Sequence, residues 1–210
     1  MKLSVPGKTR LVIFDLDGTL YDKKRLPFRL ILSQLTHLGM LGAERKVRSG
    51  MKGLALGSEA DFYNEFYCRI AARCKHSAKE VREWYENSYM PSMARVLKRH
   101  YSIRDFWPET IRELREKGIK TAVLSDYGSV PEKLAALGFD TGLADAVFSC
   151  PEFGALKPAP EPFLGVAAKL GVSPAECLAI GDRRDTDGLG AQAAGMACLI
   201  IDKHGNLNDY

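Results

Sequence analysis

The sequence predicts an α/β fold in which a parallel β-sheet is covered by helices on both faces. From Pro108 onwards, short apolar runs alternate with helical patterns through short links, which is typical of a parallel sheet. Residues 22–104 have helical periodicity and little strand character. Residues 11–14 are apolar at every position, as expected for a strand buried on both faces. We therefore expect one α/β core that is interrupted by a helical insert after its first strand.

The insert is predicted to contain four helices. They cover residues 26–38, 60–74 and 77–89, with a short fourth helix after Pro91. Gly39 is expected to end the first helix, and the three glycines in residues 49–58 favour a mobile loop. Ser77 and Glu80 have the spacing of a capping box, which begins the third helix. Pro91 is expected to break that helix, because it lacks a backbone N–H.

The core is predicted from apolar runs of four or five residues and from glycines that follow helical patterns. The strands are expected at residues 11–14, 120–124, 146–149, 177–180 and 197–201, and the helices at residues 109–117, 130–137, 161–170 and 187–194. Gly118, Gly138 and Gly171 stand where three of these helices should end. The polar tail, residues 202–210, is expected to be loosely ordered.

Length and composition limit what the chain can be. With 210 residues, of which 46% are hydrophobic, it can bury one substantial core and a smaller lobe. No apolar stretch approaches the roughly 20 residues needed to cross a bilayer, and the first ten residues lack the apolar block of a signal peptide. We therefore expect a cytoplasmic protein with no membrane partner. The five cysteines are scattered without Cys-x-x-Cys spacing, which predicts free thiols.

Charge is divided unevenly along the chain. Residues 21–105 hold 17 Lys and Arg against 9 Asp and Glu, whereas the rest of the chain holds 13 against 17. Because the basic residues are spread over several helices and do not form one stripe with aromatic partners, nucleic acid is not expected as a partner. Two explanations of this excess of basic residues remain open. They could steer a small anion towards the strand ends, or they could be ordinary solvated helix faces.

Six polar residues are expected at or just beyond the carboxyl ends of the strands. They are Asp15, Asp17, Ser125, Lys157, Asp182 and Asp187. In an open parallel sheet these ends share one edge, where ligands bind, so the six side chains are expected to converge. Asp15 and Asp17 share one side of a strand. Two carboxylates at so short a distance need a cation or a shared proton, because each disfavours the ionisation of the other. This predicts a metal site, although an ordinary turn at residues 15–18 is the alternative.

These motifs together resemble the haloacid dehalogenase superfamily. The matching motifs are Asp15-Leu-Asp17-Gly-Thr-Leu, Ser125 at a strand end, Lys157 followed by Pro158, and Gly181-Asp182 with a second aspartate at Asp187. The resemblance covers residues 10–201 and is to the phosphatase branch with a helical cap, which includes phosphoglycolate phosphatases. It implies a Rossmann-like catalytic core formed by residues 1–21 and 105–210, with residues 22–104 as the helical cap.

The resemblance also implies a role for each aspartate. Asp15 would attack phosphorus and form an aspartyl-phosphate. Asp17 would protonate the departing alkoxide and then deprotonate the water that hydrolyses the intermediate. The Asp15 carboxylate, the Asp17 main-chain carbonyl and Asp182 would bind Mg²⁺, and Asp187 would orient the metal shell. Mg²⁺ is therefore the expected cofactor.

Ser125, Asp126 and Lys157 are expected to bind the phosphoryl group. By resemblance, Ser125 contributes its hydroxyl and the backbone N–H groups after it add further donors, whereas Lys157 neutralises charge and holds Asp15. Asp126 stands where many relatives place Asn, and a hydrogen bond directed away from the site is the easier arrangement for its carboxylate. A helix-capping serine and a lysine in a surface loop remain the alternatives for Ser125 and Lys157.

The expected function is a Mg²⁺-dependent phosphatase for a small phosphorylated metabolite, with the cap closing over the site. The family's dehalogenases have an aromatic residue in place of Asp17, because a departing halide needs no proton. Basic cap residues such as Arg25, Arg29 and Lys52 are candidates for contacts with the rest of the substrate. A sugar phosphomutase and a catalytically idle anion-binding protein remain open, and the sequence does not distinguish a monomer from a homodimer.

Overall fold

The computed structural model describes residue 3 and residues 5–209. Its centre is a six-stranded sheet with the strand order β3-β2-β1-β4-β5-β6. The strands are β1 Leu11–Asp15, β2 Lys120–Ser125, β3 Ala146–Ser149, β4 Cys177–Gly181, β5 Ala197–Ile201 and β6 Leu207–Asp209. Strands β1 to β5 are parallel, and β6 adds an antiparallel edge. The predicted α/β fold is confirmed, and the five predicted strands lie within one residue of their expected ends.

Helices pack around the sheet and fill the insert. The α-helices are α1 Leu26–Ser33, α2 Leu38–Gly50, α3 Glu59–Cys74, α4 Ala78–Trp84, α5 Met90–His100, α6 Phe106–Glu116, α7 Val130–Ala136, α8 Glu161–Lys169 and α9 Leu189–Ala193. Within the described part of the chain, none of them combines the length and apolar character needed to cross a membrane. The division into a core of residues 1–21 and 105–210 and a cap of residues 22–104 stays a prediction. Residues 1, 2, 4 and 210 of that division lie outside the described residues.

The central strand sets the position of the site. All five residues of β1 are buried, and β2 lies on one side of it and β4 on the other. Asp15 is in register with Leu124, and Phe14 is in register with Ile180. The residues that follow these partners, Ser125 and Gly181, therefore reach the same edge of the sheet as Asp15.

The first insert helix is shorter than predicted. Helix α1 ends at Ser33, and α2 begins at Leu38 and continues through Gly39, where the sequence predicts a helix end. Gln34 lies at the break with φ −129°, and its Oε1 accepts a buried hydrogen bond from Trp84 Nε1 at 2.9 Å. A tertiary contact that the local pattern cannot reveal thus accompanies the end of α1.

The predicted mobile loop of residues 49–58 is docked on the core. The Gly53 N–H donates to the Leu156 carbonyl at 3.2 Å, and the Leu56 N–H donates to the Gly154 carbonyl at 2.8 Å. A Cβ on Gly154 would lie 2.7 Å from the backbone of Gly57, so this approach requires a glycine. The backbone groups of this loop therefore find partners just before Lys157, and its mobility stays a prediction.

Pro91 does not break the third insert helix. Helices α4 and α5 join through a π-helical turn, Tyr85–Tyr89, and Pro91 lies in the first turn of α5. A π turn changes the hydrogen-bond pattern from i→i+4 to i→i+5, so the helix can continue past a residue that has no N–H.

The polar tail is more ordered than predicted. Strand β6 pairs with β5, with Leu207 opposite Ile201. The Asp202 side chain accepts hydrogen bonds from the N–H groups of His204 and Asn206, and these bonds close the turn between the two strands. The expectation of a loosely ordered tail was therefore wrong for residues 202–209.

Candidate active site

Lys157 lies between two carboxylates at the centre of the site. Its Nζ donates to Asp15 Oδ1 at 2.7 Å and to Asp187 Oδ1 at 2.8 Å, and 2% of its side chain is exposed. Burial by itself would lower the pKa of Lys157, but Asp15 and Asp187 raise that pKa well above its ordinary value. Lys157 is therefore a buried ammonium that connects the end of β1 with the segment after β4.

Asp15 is held at both carboxylate oxygens. Its Oδ1 accepts from Lys157, and its Oδ2 accepts from the Thr19 hydroxyl at 2.9 Å. The Thr19 carbonyl in turn accepts a hydrogen bond from Trp107 Nε1 at 2.9 Å. The orientation of the Asp15 carboxylate is thus set by the protein itself.

Three carboxylates converge at this point. Oxygens of Asp15, Asp182 and Asp187 lie within 4.8 Å of one another. Burial and the nearby Asp15 raise the pKa of Asp182. Burial also raises the pKa of Asp187 to about 7, against the opposing effect of Lys157. Carboxylates this close disfavour each other's charge unless a cation lies among them.

Two glycines make this crowding possible. Gly18 has φ 110°, and a Cβ there would lie 2.3 Å from Asp182 Oδ2. A Cβ on Gly181 would lie 2.2 Å from Asp187 Cβ. Because both distances are far shorter than a van der Waals contact, a side chain at either position would displace an aspartate from the cluster.

Lys23 brings a second cation to the cluster. Its Nζ donates to the main-chain carbonyl of Asp17 at 2.7 Å and lies 2.6 Å from Asp182 Oδ2. These are two of the oxygens that the resemblance assigns to Mg²⁺. Clustered carboxylates and a carbonyl oxygen are a donor set that fits a small divalent cation, and the nearby ammonium shows that these oxygens attract positive charge.

The side chain of Asp17 has its own set of partners. Its Oδ2 lies 2.5 Å from Lys133 Nζ and accepts from the Ser125 hydroxyl at 2.8 Å, and its Oδ1 accepts from the Tyr21 hydroxyl at 2.6 Å. Burial raises the pKa of Asp17, but the Lys133 ammonium and the hydrogen bonds outweigh it and hold that pKa below its ordinary value. Asp17 is therefore a carboxylate in this arrangement.

Lys133 is a site residue that the sequence reasoning missed. Its side chain is fully buried, and its Nζ also lies 3.2 Å from Ser125 Oγ. In α7 it shares an apolar stripe with Val130 and Leu134, both of which are buried. A lysine inside such a stripe needs a buried partner, and this is the signal that could have identified it.

Ser125 and Asp126 accept hydrogen bonds from different parts of the chain. The Ser125 hydroxyl oxygen accepts from the Tyr127 N–H at 3.1 Å, whereas the residue that precedes α7 as its N-cap is Ser129. Asp126 Oδ1 accepts from the backbone N–H of Lys157 at 3.0 Å. The Asp126 carboxylate thus holds the Lys157 loop through a backbone hydrogen bond.

Arg48 joins the insert to the strand ends. Its guanidinium donates to Glu44 at 2.6 Å, to the Tyr85 hydroxyl at 3.0 Å and to the Asp126 carbonyl at 2.8 Å. It also lies over the Tyr127 ring at 4.1 Å from the centroid. The attraction between a buried cation and these partners fixes α2 against the loop after β2.

A cavity of about 300 Å³ opens above the acidic cluster. Its lining combines cationic side chains with an apolar wall, and the insert supplies much of both. The cations are Lys23, Arg45, Arg48, Lys52 and Arg183, and the apolar residues are Leu26, Pro27, Leu30, Tyr89, Met93, Tyr127 and Leu156. Lys52 lines the cavity as expected, whereas Arg25 and Arg29 are absent from its lining. Arg29 lies over the Tyr101 ring instead, at 5.0 Å from its centroid.

A family model described as haloacid dehalogenase-like hydrolase matches residues 9–195. The chain belongs to the haloacid dehalogenase-like hydrolase family. The resemblance carried by the four motifs is therefore confirmed. In this family member, the matched residues run from just before β1 into the short segment between α9 and β5.

Individual relatives extend the comparison. The haloacid dehalogenase-like chain is 31% identical over 203 residues to the protein SUPPRESSOR OF QUENCHING 1, chloroplastic, of Arabidopsis thaliana, covering 93% of this chain but 18% of that protein. It is 29% identical over 196 residues to a phosphoglycolate phosphatase of Yersinia pseudotuberculosis, covering 90% of this chain and 79% of the relative. These comparisons confirm the prediction of a phosphatase-like hydrolase of this family.

A solved structure supports the fold. The 2-haloacid dehalogenase from Pseudomonas syringae superimposes with a TM-score of 0.66 at 19% identity, covering 96% of this chain and 90% of that chain. At this level of identity the likeness concerns the fold of the haloacid dehalogenase-like chain and not its reaction.

Proposed function

We propose that this haloacid dehalogenase-like hydrolase is a Mg²⁺-dependent phosphatase that hydrolyses a small phosphorylated metabolite through an aspartyl-phosphate at Asp15. The observation that carries the proposal is the position of Lys157, whose ammonium contacts both Asp15 and Asp187. A carboxylate oriented by a lysine and a hydroxyl, beside an acidic cluster, meets the needs of covalent phosphoryl transfer. The phosphoglycolate phosphatase among its relatives supports a phosphate ester as substrate.

In the first half of the reaction, an Asp15 oxygen attacks phosphorus while the bond from phosphorus to the ester oxygen breaks. Lys157 and Thr19 keep the carboxylate oriented, and Lys157 offsets charge on the phosphoryl group. Asp17 gives a proton to the departing oxygen. When held by Asp15, the Asp17 carbonyl and Asp182, with Asp187 as orienting partner, Mg²⁺ would neutralise charge on the phosphoryl oxygens.

In the second half, Asp17 takes a proton from water as the water oxygen attacks phosphorus. The bond between phosphorus and Asp15 breaks, phosphate leaves, and Asp17 is protonated again. The Lys133 contact favours the ionised form of Asp17, which is the form that accepts this proton. The ionised form has no proton to give, so before the first half the Asp17 side chain must leave Lys133 and take up a proton from solvent. Lys133 therefore influences how readily Asp17 acts as an acid.

Replacing Lys133 with Met should lower kcat by about 10- to 100-fold, because Asp17 loses the cation that holds its carboxylate beside Ser125. KM should change much less, since Lys133 is not among the residues that line the cavity. Steady-state kinetics with an aryl phosphate measure both constants. The matched control is Lys117→Met, which changes an exposed lysine at the end of α6. An unchanged kcat in the Lys133 variant would show that Asp17 does not depend on this contact.

Asp17 favours phosphorus chemistry over dehalogenation, because an alkoxide leaving group needs a proton and halide does not. The cavity favours a small substrate, since about 300 Å³ is at the lower end of the range for small-molecule sites. We propose that residues 22–104 act as a cap whose apolar wall and cations, Arg45 and Lys52 among them, contact the part of the substrate that does not react.

The experiment that tests this function is a phosphate-release screen over sugar phosphates, nucleotides, phosphoglycolate and an aryl phosphate, with Mg²⁺ and with EDTA. We expect release from at least one small ester, dependent on Mg²⁺. Conversion between phosphate isomers without net release would instead indicate a phosphomutase. Tight binding of an anion with no turnover of any ester would indicate a binding protein, and either result would contradict the proposal.

A further inference from the structure

The position of Lys23 stands out among the groups that the reaction scheme does not use. Its ammonium is within hydrogen-bond distance of both the Asp17 carbonyl and the Asp182 carboxylate. Those two oxygens come from the segments that follow different strands, β1 and β4, and the side chain reaches them from the loop that follows β1. A single positive charge therefore bridges the two strand ends at which the proposed Mg²⁺ ligands converge.

The surroundings hold Lys23 in this place. Gly18 has no side chain, and a Cβ there would lie 2.8 Å from Lys23 Nζ, so the ammonium packs closely against this glycine. About two fifths of the Lys23 side chain is exposed, at 39%. The stem can therefore swing into solvent without opening the core, and an ammonium on a flexible stem is easily redirected.

We infer that Lys23 is an internal competitor of the metal, which occupies the Asp17 carbonyl and Asp182 until a divalent cation displaces it. This inference rests on the metal site of the proposed function. Two positive groups cannot share these oxygens at such short distances, because a cation and an ammonium in contact repel each other. The ammonium of Lys23 must move away when Mg²⁺ binds.

Lys23 and Lys157 both offset the negative charge of the acidic cluster. Asp15, Asp182 and Asp187 would repel one another, but Lys157 and Lys23 both lie among them. The two ammonium groups therefore offset most of the negative charge of the three carboxylates. Removing Lys23 should raise the affinity of the cluster for Mg²⁺. It should also lower the stability of the folded protein when Mg²⁺ is not bound.

The first test measures the binding of Mg²⁺ alone, without substrate, by titration calorimetry. We expect Lys23→Gln to bind Mg²⁺ about two- to fivefold more tightly than the wild type, which is the range for losing one partly exposed ion pair. Lys23→Arg should stay close to the wild type, because it keeps the competing charge. Lys24→Gln changes the exposed neighbour and should have no effect. Equal or weaker Mg²⁺ binding by Lys23→Gln would overturn the inference.

A second measurement uses the wild type and does not depend on the variant folding. Acetylation of lysines, followed by peptide mass analysis, reports how free each ammonium is. Lys23 should react slowly in EDTA and several-fold faster with Mg²⁺, whereas Lys24 should react at the same rate in both. Unchanged protection of Lys23 in saturating Mg²⁺ would overturn the inference. Neither measurement uses turnover, so failure of the proposed reaction and failure of this inference can be told apart.

Discussion

Asp15→Asn should abolish phosphate release, with a loss of about 10⁴-fold or more in kcat. An amide oxygen is a far weaker nucleophile than a carboxylate, and no other residue in the scheme can take its place. The change keeps the shape of the side chain, but an amide has one oxygen, so only one of the two donors, Thr19 or Lys157, can keep its hydrogen bond at that position. Release of phosphate from the best substrate of the screen, in saturating Mg²⁺, is the measurement.

The matched control for this variant is Asp22→Asn. Asp22 is an exposed aspartate in the same loop, and its side chain accepts a hydrogen bond from the Lys24 N–H. It makes no contact with the acidic cluster, so this variant should keep nearly full activity. If Asp15→Asn retained a comparable rate, Asp15 could not be the nucleophile.

Lys157→Met should have the largest effect on stability. Methionine fills a similar volume but removes the charge that lies between Asp15 and Asp187. Leaving a buried charge without its partner typically costs about 3–5 kcal/mol, so we expect a loss of that size in the free energy of unfolding. Urea denaturation in EDTA measures it, because added Mg²⁺ would partly replace the missing positive charge.

Lys169→Met serves as the control for Lys157. Lys169 is about half exposed, and its ion pair with Glu152 is long, at 4.0 Å. Its ammonium also lies 5.0 Å from the centroids of the Phe148 and Phe153 rings. Exposed contacts of these kinds contribute little, so the loss should stay within about 1 kcal/mol. A loss below about 1 kcal/mol in Lys157→Met would show that the two carboxylates do not depend on this ammonium.

The strands and the polar residues at their ends could be predicted because each strand is a short apolar run that stops at a polar residue. Strand β1 is buried along its whole length, and this is why its sequence has no alternation. Once the strands are taken as parallel, the topology alone brings Asp15, Ser125 and Asp182 to one edge. Residues more than 100 positions apart could therefore be grouped before any contact was known.

The contacts that depend on single side chains could not be predicted in the same way. Lys23 looks like an ordinary solvated lysine in the sequence, and Lys133 is marked only by its place in an apolar stripe. Their roles appear only when their partners on other elements are known. The hydrogen bond between Gln34 and Trp84 joins residues 50 positions apart in the chain. Long-range pairs of this kind override local helix signals such as Gly39.

The most direct test of the central claim is to trap the covalent intermediate. Wild-type enzyme turning over its best substrate is quenched with acid, and its peptides are mapped by mass spectrometry. We expect one added phosphoryl group on Asp15 of the wild type. Hydroxylamine should remove this group, and the Asp15→Asn variant should not carry it. A phosphoryl group on a different residue, or none on any peptide during full-rate turnover, would contradict it.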